Sequence, residues 1–115
     1  MHELGVVFHV IKHVDKIAEQ NKAKLVNSVT LEIGKVSGII PSYLDDCFKW
    51  AVNNRSSHMQ GCKLKIEEID AITYCENCKS KYDTIKYGKI CPNCKSDKTY
   101  LIQGNEFVIK EIEVS

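Results

Sequence analysis

Long apolar runs are missing from this chain of 115 residues. No eighteen consecutive apolar residues occur, so the sequence predicts no membrane-spanning helix. A surplus of one charge is also missing, since 16 basic residues face 15 acidic ones and leave a formal net charge of +1. Such a balance provides no general attraction to nucleic acid. The hydrophobic content of 43% is ordinary for a globular protein.

The sequence predicts no secretory segment. The apolar stretch from Val6 to Ile11 is short, is interrupted by His9 and follows Glu3, which does not fit a signal peptide. We therefore expect a cytoplasmic protein, whose cysteines stay reduced. No nucleophile with a nearby base can be recognised, so the sequence predicts no catalytic residues and no enzyme.

Four cysteines are arranged as two CxxC pairs, Cys75/Cys78 and Cys91/Cys94, with twelve residues between the pairs. Two cysteines three apart can direct both sulfurs to one point only if the chain makes a tight turn. Two such turns facing each other form the tetrahedral four-thiolate site that is typical of structural zinc. A thioredoxin-like site would need one CxxC in a βαβ context, whereas this region has two pairs and no helical pattern. A closed zinc site has no open coordination position, so we do not expect it to be catalytic.

The two cysteine segments also resemble each other. Residues Cys75–Ser80, the first knuckle, and Cys91–Ser96, the second knuckle, share the pattern C-x-N-C-K-S. This near-repetition predicts two matching turns rather than four scattered thiols. We therefore expect all four cysteines to bind one Zn²⁺.

Zinc ribbons often bind nucleic acid, so the charge of this region is informative. From Cys75 to Lys98 six lysines face three acidic residues, and four thiolates with Zn²⁺ contribute −2, which leaves about +1. No arginine is present there to contact phosphate or guanine. Four tyrosines could in principle stack on bases: Tyr74, Tyr82, Tyr87 and Tyr100. We expect no nucleic-acid partner, and a zinc ribbon that binds RNA or a protein is the alternative function.

Hydrophobic periodicity predicts two helices and three strands outside the cysteine region. Apolar residues recur at three and four positions from Leu4 to Gln20, and again after Pro41 as far as Asn54. A proline suits the first turn of a helix. Apolar residues alternate in three further segments, which are Val26 to Ile33, Cys62 to Glu67 and Phe107 to Val114. The last alternation slips between Ile109 and Ile112, which predicts a bulge or a sheet edge.

These elements need one another to bury their apolar faces. We therefore predict an α+β fold, in which a small mixed three-stranded sheet packs with two helices and carries an inserted zinc-ribbon-like module. Residues 1–70, completed by a C-terminal strand in residues 105–115, form the predicted α/β domain, and residues 71–104 form the zinc-binding module.

Three expectations concern residues outside the cysteine pairs. Cys47 lies on the apolar face of the second helix and is expected to be a small core residue. Residues 55–61 form a predicted polar loop. The region from Ile39 to Trp50 is a candidate partner surface, although Trp50 fits the core equally well.

The amino-terminal residues Met1-His2-Glu3 predict a second metal site. The Nδ1 atom of His2 closes a six-membered chelate ring with its own amide nitrogen, and the terminal amine closes a five-membered ring with the same amide. Three in-plane nitrogens suit square-planar Ni²⁺ or Cu²⁺ and suit tetrahedral Zn²⁺ poorly. Either the Glu3 amide replaces the terminal amine, or the fourth ligand comes from elsewhere. The alternative is that His2 is an exposed terminal residue, and we interpret His9 and His13 as part of a solvated helix face.

Several segments occur together in one order along the chain. They are Met1–Leu4 (MHEL), Ile33–Pro41 (IGKVSGIIP), the two CxxC pairs, and Gly104–Val114 (GNEFVIKEIEV). Over essentially the whole chain, this combination resembles the HypA/HybF family of nickel metallochaperones. The resemblance implies one Ni²⁺ bound at the amino terminus by His2 and Glu3. It also implies one structural Zn²⁺ with four ligands, which are Cys75, Cys78, Cys91 and Cys94.

The resemblance further implies a protein without catalytic turnover that matures [NiFe] hydrogenase. Members of this family work with the nickel GTPase HypB and deliver nickel to the hydrogenase large-subunit precursor, and in some bacteria they also serve urease. The sequence is compatible with a monomer and with a homodimer. Gly5 departs from the family pattern, in which many members have serine, and Cys47 and Cys62 lie outside its zinc motif.

Overall fold

The computed structural model describes residues 3–115. Across these residues the chain forms three helices and six strands, in the order α1 (Glu3–Gln20), β1 (Val26–Gly34), α2 (Pro41–Arg55), β2 (Lys63–Ile69), β3 (Ile72–Cys75), β4 (Lys81–Asp83), α3 (Thr84–Tyr87), β5 (Thr99–Gln103) and β6 (Phe107–Val114). The strands form two sheets of three, ordered β2-β1-β6 and β4-β3-β5. The predicted α+β class is confirmed, as are the two long helices and the three strands outside the cysteine region.

The helix α1 buries one face because its apolar residues recur every three or four positions. The buried side chains are Val7, Val10, Ile11, Val14 and Ala18. The helix ends where Lys22 adopts a left-handed backbone with a φ of +56°. The Ala23 N–H then donates to the Ala18 carbonyl at 2.9 Å. This bond satisfies a carbonyl group that the last helical turn would otherwise leave unpaired.

The helix α2 packs against α1 through an apolar face of its own. It begins at Pro41, because the N–H that proline lacks would have no partner in the first turn. Its buried residues are Leu44, Phe48, Ala51 and Val52. Cys47, predicted as a core residue, is half-buried. Tyr43 and Trp50 are exposed, so Trp50 belongs to the surface rather than to the core.

The loop after α2 differs from the predicted polar loop. Arg55 still belongs to α2, and Met59 is fully buried. Ser56 organises the segment, since its Oγ accepts the N–H groups of His58 and Met59 at 3.2 and 3.0 Å and donates to the Asp15 carboxylate at 2.8 Å. An isolated apolar residue has no periodicity, so the sequence pattern could not indicate that Met59 is buried.

The strand β1 is central in the first sheet and is buried along most of its length. Val29, Leu31 and Ile33 alternate as predicted, and the intervening Ser28 and Thr30 are buried as well. The strand β6 lies at an edge of this sheet, which confirms the edge predicted from the slip in its alternation. Its partly buried residues are Phe107, Ile109 and Ile112.

Glu113 on β6 is held by side chains from the other two strands of its sheet. The Ser28 hydroxyl donates to Glu113 Oε1 at 2.6 Å, and Lys65 Nζ donates to the same oxygen at 3.0 Å. The Ser28 hydrogen bond, followed by the Lys65 ammonium, lowers the pKa of the Glu113 carboxyl. A carboxyl whose pKa is lower in the folded chain stabilises the fold above its unfolded pKa, and this contribution is lost as the pH falls through the folded pKa.

We therefore expect Glu113→Gln to lower the melting temperature near neutral pH, and we expect this difference to disappear as the pH falls through the lowered pKa of the folded carboxyl, below which Glu113 is protonated in both states. Thermal unfolding of both proteins, followed by circular dichroism across this pH range, measures the difference. A gap in melting temperature that stays constant down to about pH 3 would show that charge at Glu113 is not its cause.

The second sheet lies in the cysteine region, and its neighbouring strands are antiparallel. Its central strand is β3, in which Tyr74 lies opposite Lys81 of β4 and Tyr100 of β5. Thr73 and Cys75 are buried, whereas the residues beside Thr73 are only partly buried. This alternation gives the sheet one buried face, which carries the first cysteine of the first knuckle.

The short helix α3 lies between the two cysteine pairs and corrects the expectation that this region contains no helix. Asp83 caps it, because its side chain accepts the Ile85 N–H at 3.0 Å. The helix comprises only Thr84–Tyr87. A single turn is too short to show helical periodicity in the sequence, which is why the pattern missed it.

The described residues form two compact units. The first unit consists of residues 3–32, Ile39–Glu67 and Val108–Ser115. The second unit consists of Ile33–Gly38 and Glu68–Phe107 and contains both knuckles. The domain limits predicted from the sequence, 1–70 with 105–115 and 71–104, stay a prediction. None of the helices within residues 3–115 has the length and hydropathy that a membrane crossing requires.

Two chain segments of the second unit cross at a point where only glycine fits. The Gly34 N–H donates to the Glu106 carbonyl and the Val36 N–H donates to the Gly104 carbonyl, both at 2.8 Å. A Cβ atom on Gly34 would overlap the Gly104 carbonyl, and one on Gly104 would overlap Ala71. Gly104 also has a φ of +121°, which residues with a side chain rarely adopt.

Candidate metal centre

Each CxxC pair lies on a tight turn with the same backbone hydrogen bonds. In the first knuckle, the Lys79 N–H donates to the Cys75 carbonyl at 2.8 Å, and the Cys75 N–H donates to the Ser80 carbonyl at 2.9 Å. In the second knuckle the equivalent bonds are 2.9 and 3.0 Å long. The near-repetition in the sequence therefore corresponds to two matching turns.

The lysine after each pair reverses the chain. Lys79 has a φ of +62° and Lys95 a φ of +65°, a left-handed conformation that is uncommon for residues other than glycine. Sequence reasoning missed this backbone role. The available signal was that lysine occupies the same position in both copies of the repeat.

These turns bring together the Sγ atoms of four cysteines, Cys75, Cys78, Cys91 and Cys94, within 4.8 Å of one another. Across the knuckles, Cys75 and Cys94 are 3.6 Å apart and Cys78 and Cys91 are 3.5 Å apart. Zn–S bonds of about 2.3 Å in a tetrahedron place sulfurs about 3.8 Å from one another, so the cluster fits zinc. Among residues 3–115 this is the only group of three or more potential ligands that could hold a metal ion.

The four-cysteine site has a buried side. Cys75 and Cys91 are fully buried and pack with Tyr82, and the other two cysteines are half-buried beside them. The Tyr82 hydroxyl donates to the Gly88 carbonyl at 2.9 Å, which fixes the ring. Four cysteine ligands would leave no open coordination position, which is the arrangement typical of structural zinc sites.

Hydrogen bonds shift the thiol pKa values in opposite directions. The Ser80 hydroxyl, followed by the Asn93 side chain, lowers the pKa of Cys78 to about 5. A backbone hydrogen bond from Cys94 lowers the pKa of Cys91. A backbone hydrogen bond from Cys78 also lowers the pKa of Cys75, but burial and the Cys94 thiol outweigh it and raise the value to about 11. A lower thiol pKa favours the thiolate, which is the form that binds a metal.

Polar side chains of the first knuckle lie against sulfurs of both knuckles. The Ser80 Oγ lies 3.0 Å from the Cys78 Sγ and 3.6 Å from the Cys91 Sγ. The Asn77 Nδ2 donates to the Cys94 Sγ at 3.3 Å. Neither contact could be predicted from the sequence, although both residues belong to the repeated C-x-N-C-K-S pattern.

A tyrosine must be exposed to solvent to stack on a base, and not all four tyrosines of this unit are exposed. Tyr82 is buried beside the cysteines. Tyr74 and Tyr100 contact each other, with ring centroids 5.5 Å apart and an interplanar angle of 56°. Of the four tyrosines considered, Tyr82 is therefore excluded from base stacking.

The described fold and cysteine site match a known family. A family model described as hydrogenase/urease nickel incorporation, metallochaperone, hypA, matches residues 1–114. The chain belongs to the HypA family. This confirms the resemblance that the sequence motifs indicate, and it makes the chain a member of a family of nickel metallochaperones for hydrogenase maturation.

Individual HypA relatives agree along nearly their whole length. The hydrogenase maturation factor HypA of Chlorobium phaeobacteroides (strain BS1) is 32% identical over 114 residues, which cover 99% of each chain. The protein of the same name from Nostoc sp. (strain PCC 7120 / SAG 25.82 / UTEX 2576) is 36% identical, over 99% of this chain and 96% of the relative. The solution structure of the Ni metallochaperone HypA from Helicobacter pylori has a TM-score of 0.71 and 25% identity, covering 99% of this chain and 97% of that one.

Of the two predicted nickel-site residues in this HypA-family chain, His2 lies outside the described residues. Glu3 is the first residue of α1. Its Oε2 accepts the N–H of Ile40 at 3.2 Å. Ile40 is the residue before Pro41, at which α2 begins, so this bond links the starts of the two long helices.

The two additional cysteines lie outside the metal cluster. Cys47 is half-buried on α2, and Cys62 is buried just before β2. Burial raises the pKa of the Cys62 thiol to about 11, which keeps it protonated near neutral pH. Because both are absent from the group of potential ligands, the four sulfurs of the knuckles form the site without them.

Proposed function

We propose that this chain is a nickel metallochaperone that binds Ni²⁺ at its amino terminus and delivers it during maturation of [NiFe] hydrogenase. The match of the HypA family model over residues 1–114 is the observation that carries the proposal. The relatives named hydrogenase maturation factor and the solved Ni metallochaperone support it. Nickel is the cargo in this function, and the protein performs no catalytic turnover.

In our proposal, Cys75, Cys78, Cys91 and Cys94 bind one structural Zn²⁺. The sulfur separations and the absence of an open position in a four-thiolate site support zinc in this role. A bound Zn²⁺ would link the two knuckles. In such a small unit, metal binding would supply most of the free energy of folding.

His2 and Glu3 are the proposed nickel ligands. Nitrogen ligands in one plane favour Ni²⁺ over Zn²⁺, which prefers a tetrahedron. Because the Glu3 carboxylate accepts the Ile40 N–H, we assign Glu3 a backbone contribution to nickel binding, with its side chain positioning the start of α1. Either the Glu3 backbone amide replaces the terminal amine, or the fourth ligand comes from elsewhere.

The proposed partners are the nickel GTPase HypB and the hydrogenase large-subunit precursor. Urease is a further proposed client, in keeping with the family description. The proposed compartment is the cytoplasm, where thiols stay reduced and where the client precursor would be found. A homodimer is compatible with this function. Partner and client assignments follow from the family and not from a surface of the described fold.

A Ni²⁺ titration of the untagged, zinc-loaded protein with its native amino terminus tests the proposal. We expect one equivalent of Ni²⁺ to bind with the absorption of planar Ni²⁺, and we expect His2→Ala to abolish this binding. Glu3→Gln serves as the matched control, because glutamine keeps the backbone amide and retains a side-chain oxygen that can accept the Ile40 N–H.

Equal binding by the original protein and His2→Ala, or no binding by either, would favour the alternative of a zinc-ribbon interaction module. Loss of binding in Glu3→Gln, with His2 intact, would show that the Glu3 carboxylate is itself a nickel ligand. Zinc content is measured in every sample, so that nickel bound by the cysteines is not mistaken for nickel at the amino terminus.

A further inference from the structure

Two polar side chains of the first knuckle connect it to sulfurs of the second. Ser80 Oγ lies 3.0 Å from the Cys78 sulfur and 3.6 Å from the Cys91 sulfur. Asn77 Nδ2 donates to Cys94 at 3.3 Å. Each of the two sulfurs of the second knuckle therefore has a polar side chain of the first knuckle beside it.

The repeat provides an internal comparison, because the second knuckle contains an equivalent serine. Ser96 occupies the position of Ser80 in the C-x-N-C-K-S pattern. Its Oγ accepts the Lys98 N–H at 3.1 Å. None of the side-chain hydrogen bonds described for residues 3–115 joins the Ser96 hydroxyl to a cysteine sulfur. The two serine hydroxyls thus make different contacts although they occupy the same position in the repeat.

The shape of the sulfur cluster decides which metal it accepts. In a tetrahedron all sulfur–sulfur distances are equal, and this geometry suits zinc. Square-planar Ni²⁺ requires the sulfurs to move into one plane, so that neighbouring sulfurs approach and opposite sulfurs separate. Hydrogen bonds that tie Cys91 and Cys94 to the first knuckle oppose such a movement.

We propose that Ser80 and Asn77 are specificity-determining residues that hold the four-cysteine site in its tetrahedral arrangement and so keep the cargo metal, nickel, out of it. The biological meaning of this inference rests on the proposed function, since only a nickel carrier handles Ni²⁺ beside its own zinc. The geometric part of the inference rests on the contacts of Ser80 and Asn77 with the sulfurs of the second knuckle, beside the reciprocal hydrogen bond that the Asn93 side chain makes to the Cys78 sulfur. A chaperone with this device keeps its nickel at the releasable site.

The test compares metal exchange in the full-length, zinc-loaded protein. His2→Ala is the common background, so that the proposed amino-terminal site cannot bind the probe. Ser80→Ala, Asn77→Ala and the double variant are incubated with excess Ni²⁺ and passed through a desalting column. Zinc and nickel contents are then measured over time by mass spectrometry, together with the thiolate-to-nickel charge-transfer absorption. Replacement of neighbours of metal ligands typically changes metal binding 10–100-fold, so we expect the double variant to exchange zinc for nickel about 10-fold faster or more.

Two further variants separate specificity from a general loss of structure. Ser96→Ala removes the equivalent hydroxyl of the other knuckle and should exchange as slowly as the background protein. Ser80→Thr keeps the hydroxyl and should restore slow exchange. Each variant is also loaded with Co²⁺, whose tetrahedral absorption reports the site geometry and should shift in Ser80→Ala but not in Ser96→Ala.

Exchange that is equally fast in the double variant and Ser96→Ala would overturn the proposal. So would fast exchange in Ser80→Thr, because the hydroxyl would then have no role. Faster zinc loss without any thiolate-to-nickel absorption would also overturn it, since the side chains would then stabilise zinc without excluding nickel. The His2→Ala titration of the proposed function is independent of all three results.

Discussion

Replacing Cys91 with serine is expected to abolish stable metal binding and to unfold the second unit. Cys91 is fully buried, and its sulfur lies 3.5 Å from that of Cys78, so no water-exposed ligand can take its place. Structural Zn²⁺ sites of this kind contribute roughly 10–16 kcal/mol of apparent binding free energy near neutral pH, and this energy is lost with the site. Metal analysis and a two-dimensional amide NMR spectrum measure both effects.

Cys47→Ser is the matched control for this experiment. It removes one thiol from the half-buried face of α2 and leaves the four-sulfur group intact. We expect it to retain one equivalent of zinc and a native amide spectrum. If Cys91→Ser also kept one equivalent of tightly bound zinc and its dispersed spectrum, the four-cysteine assignment would be wrong. Addition of a strong chelator to the original protein should reproduce the spectrum of Cys91→Ser.

Gly34→Ala is expected to destabilise the protein by about 3 kcal/mol or more. The new Cβ atom would overlap the backbone carbonyl of Gly104, and a backbone group cannot rotate away as a flexible side chain can. The two segments would have to separate, which would break the hydrogen bonds from Gly34 to Glu106 and from Val36 to Gly104. Urea unfolding of the zinc-loaded protein measures the change in free energy.

Gly5→Ala is a control substitution that is expected to change the stability in the opposite direction. Gly5 lies in α1, and no atom apart from its neighbours and its own helix backbone lies within 4 Å of the place that a Cβ would occupy. Alanine loses less backbone freedom than glycine when a helix forms, so this change should stabilise the protein by roughly 0.5–1 kcal/mol. Similar free energies of unfolding for Gly34→Ala and Gly5→Ala would show that the crossing of the two segments is looser than described.

The long elements could be predicted from the sequence because their patterns extend over several turns. Both α1 and α2 bury residues that recur every three or four positions, and β1 buries an alternating set. The short elements could not be predicted in this way. The helix α3 has four residues and β4 has three, so neither extends over enough periods for its hydrophobic pattern to be recognised. Met59 is buried by the chain around it and not by a pattern of its own.

Some features of the candidate site could likewise be predicted from the sequence, and others could not. The spacing of the CxxC pairs indicates the four cysteines, because tight turns are local and the sequence contains all of their residues. The contacts of Ser80 and Ser96 could not be distinguished from the sequence, since both serines follow the same C-x-N-C-K pattern. They differ only in the groups that lie beside them in the folded chain. The nickel assignment to His2 and Glu3 stays a prediction, based on chelate geometry and on the family.

The order of strands has a consequence for the order of folding. The first sheet joins β1 to β6, and the hydrogen bond from Ser28 to Glu113 spans 85 positions of sequence. The contact between the Cys75 and Cys94 sulfurs spans only 19 positions. Pairs that are far apart in sequence close slowly. We therefore expect the two knuckles to meet before the first sheet is complete.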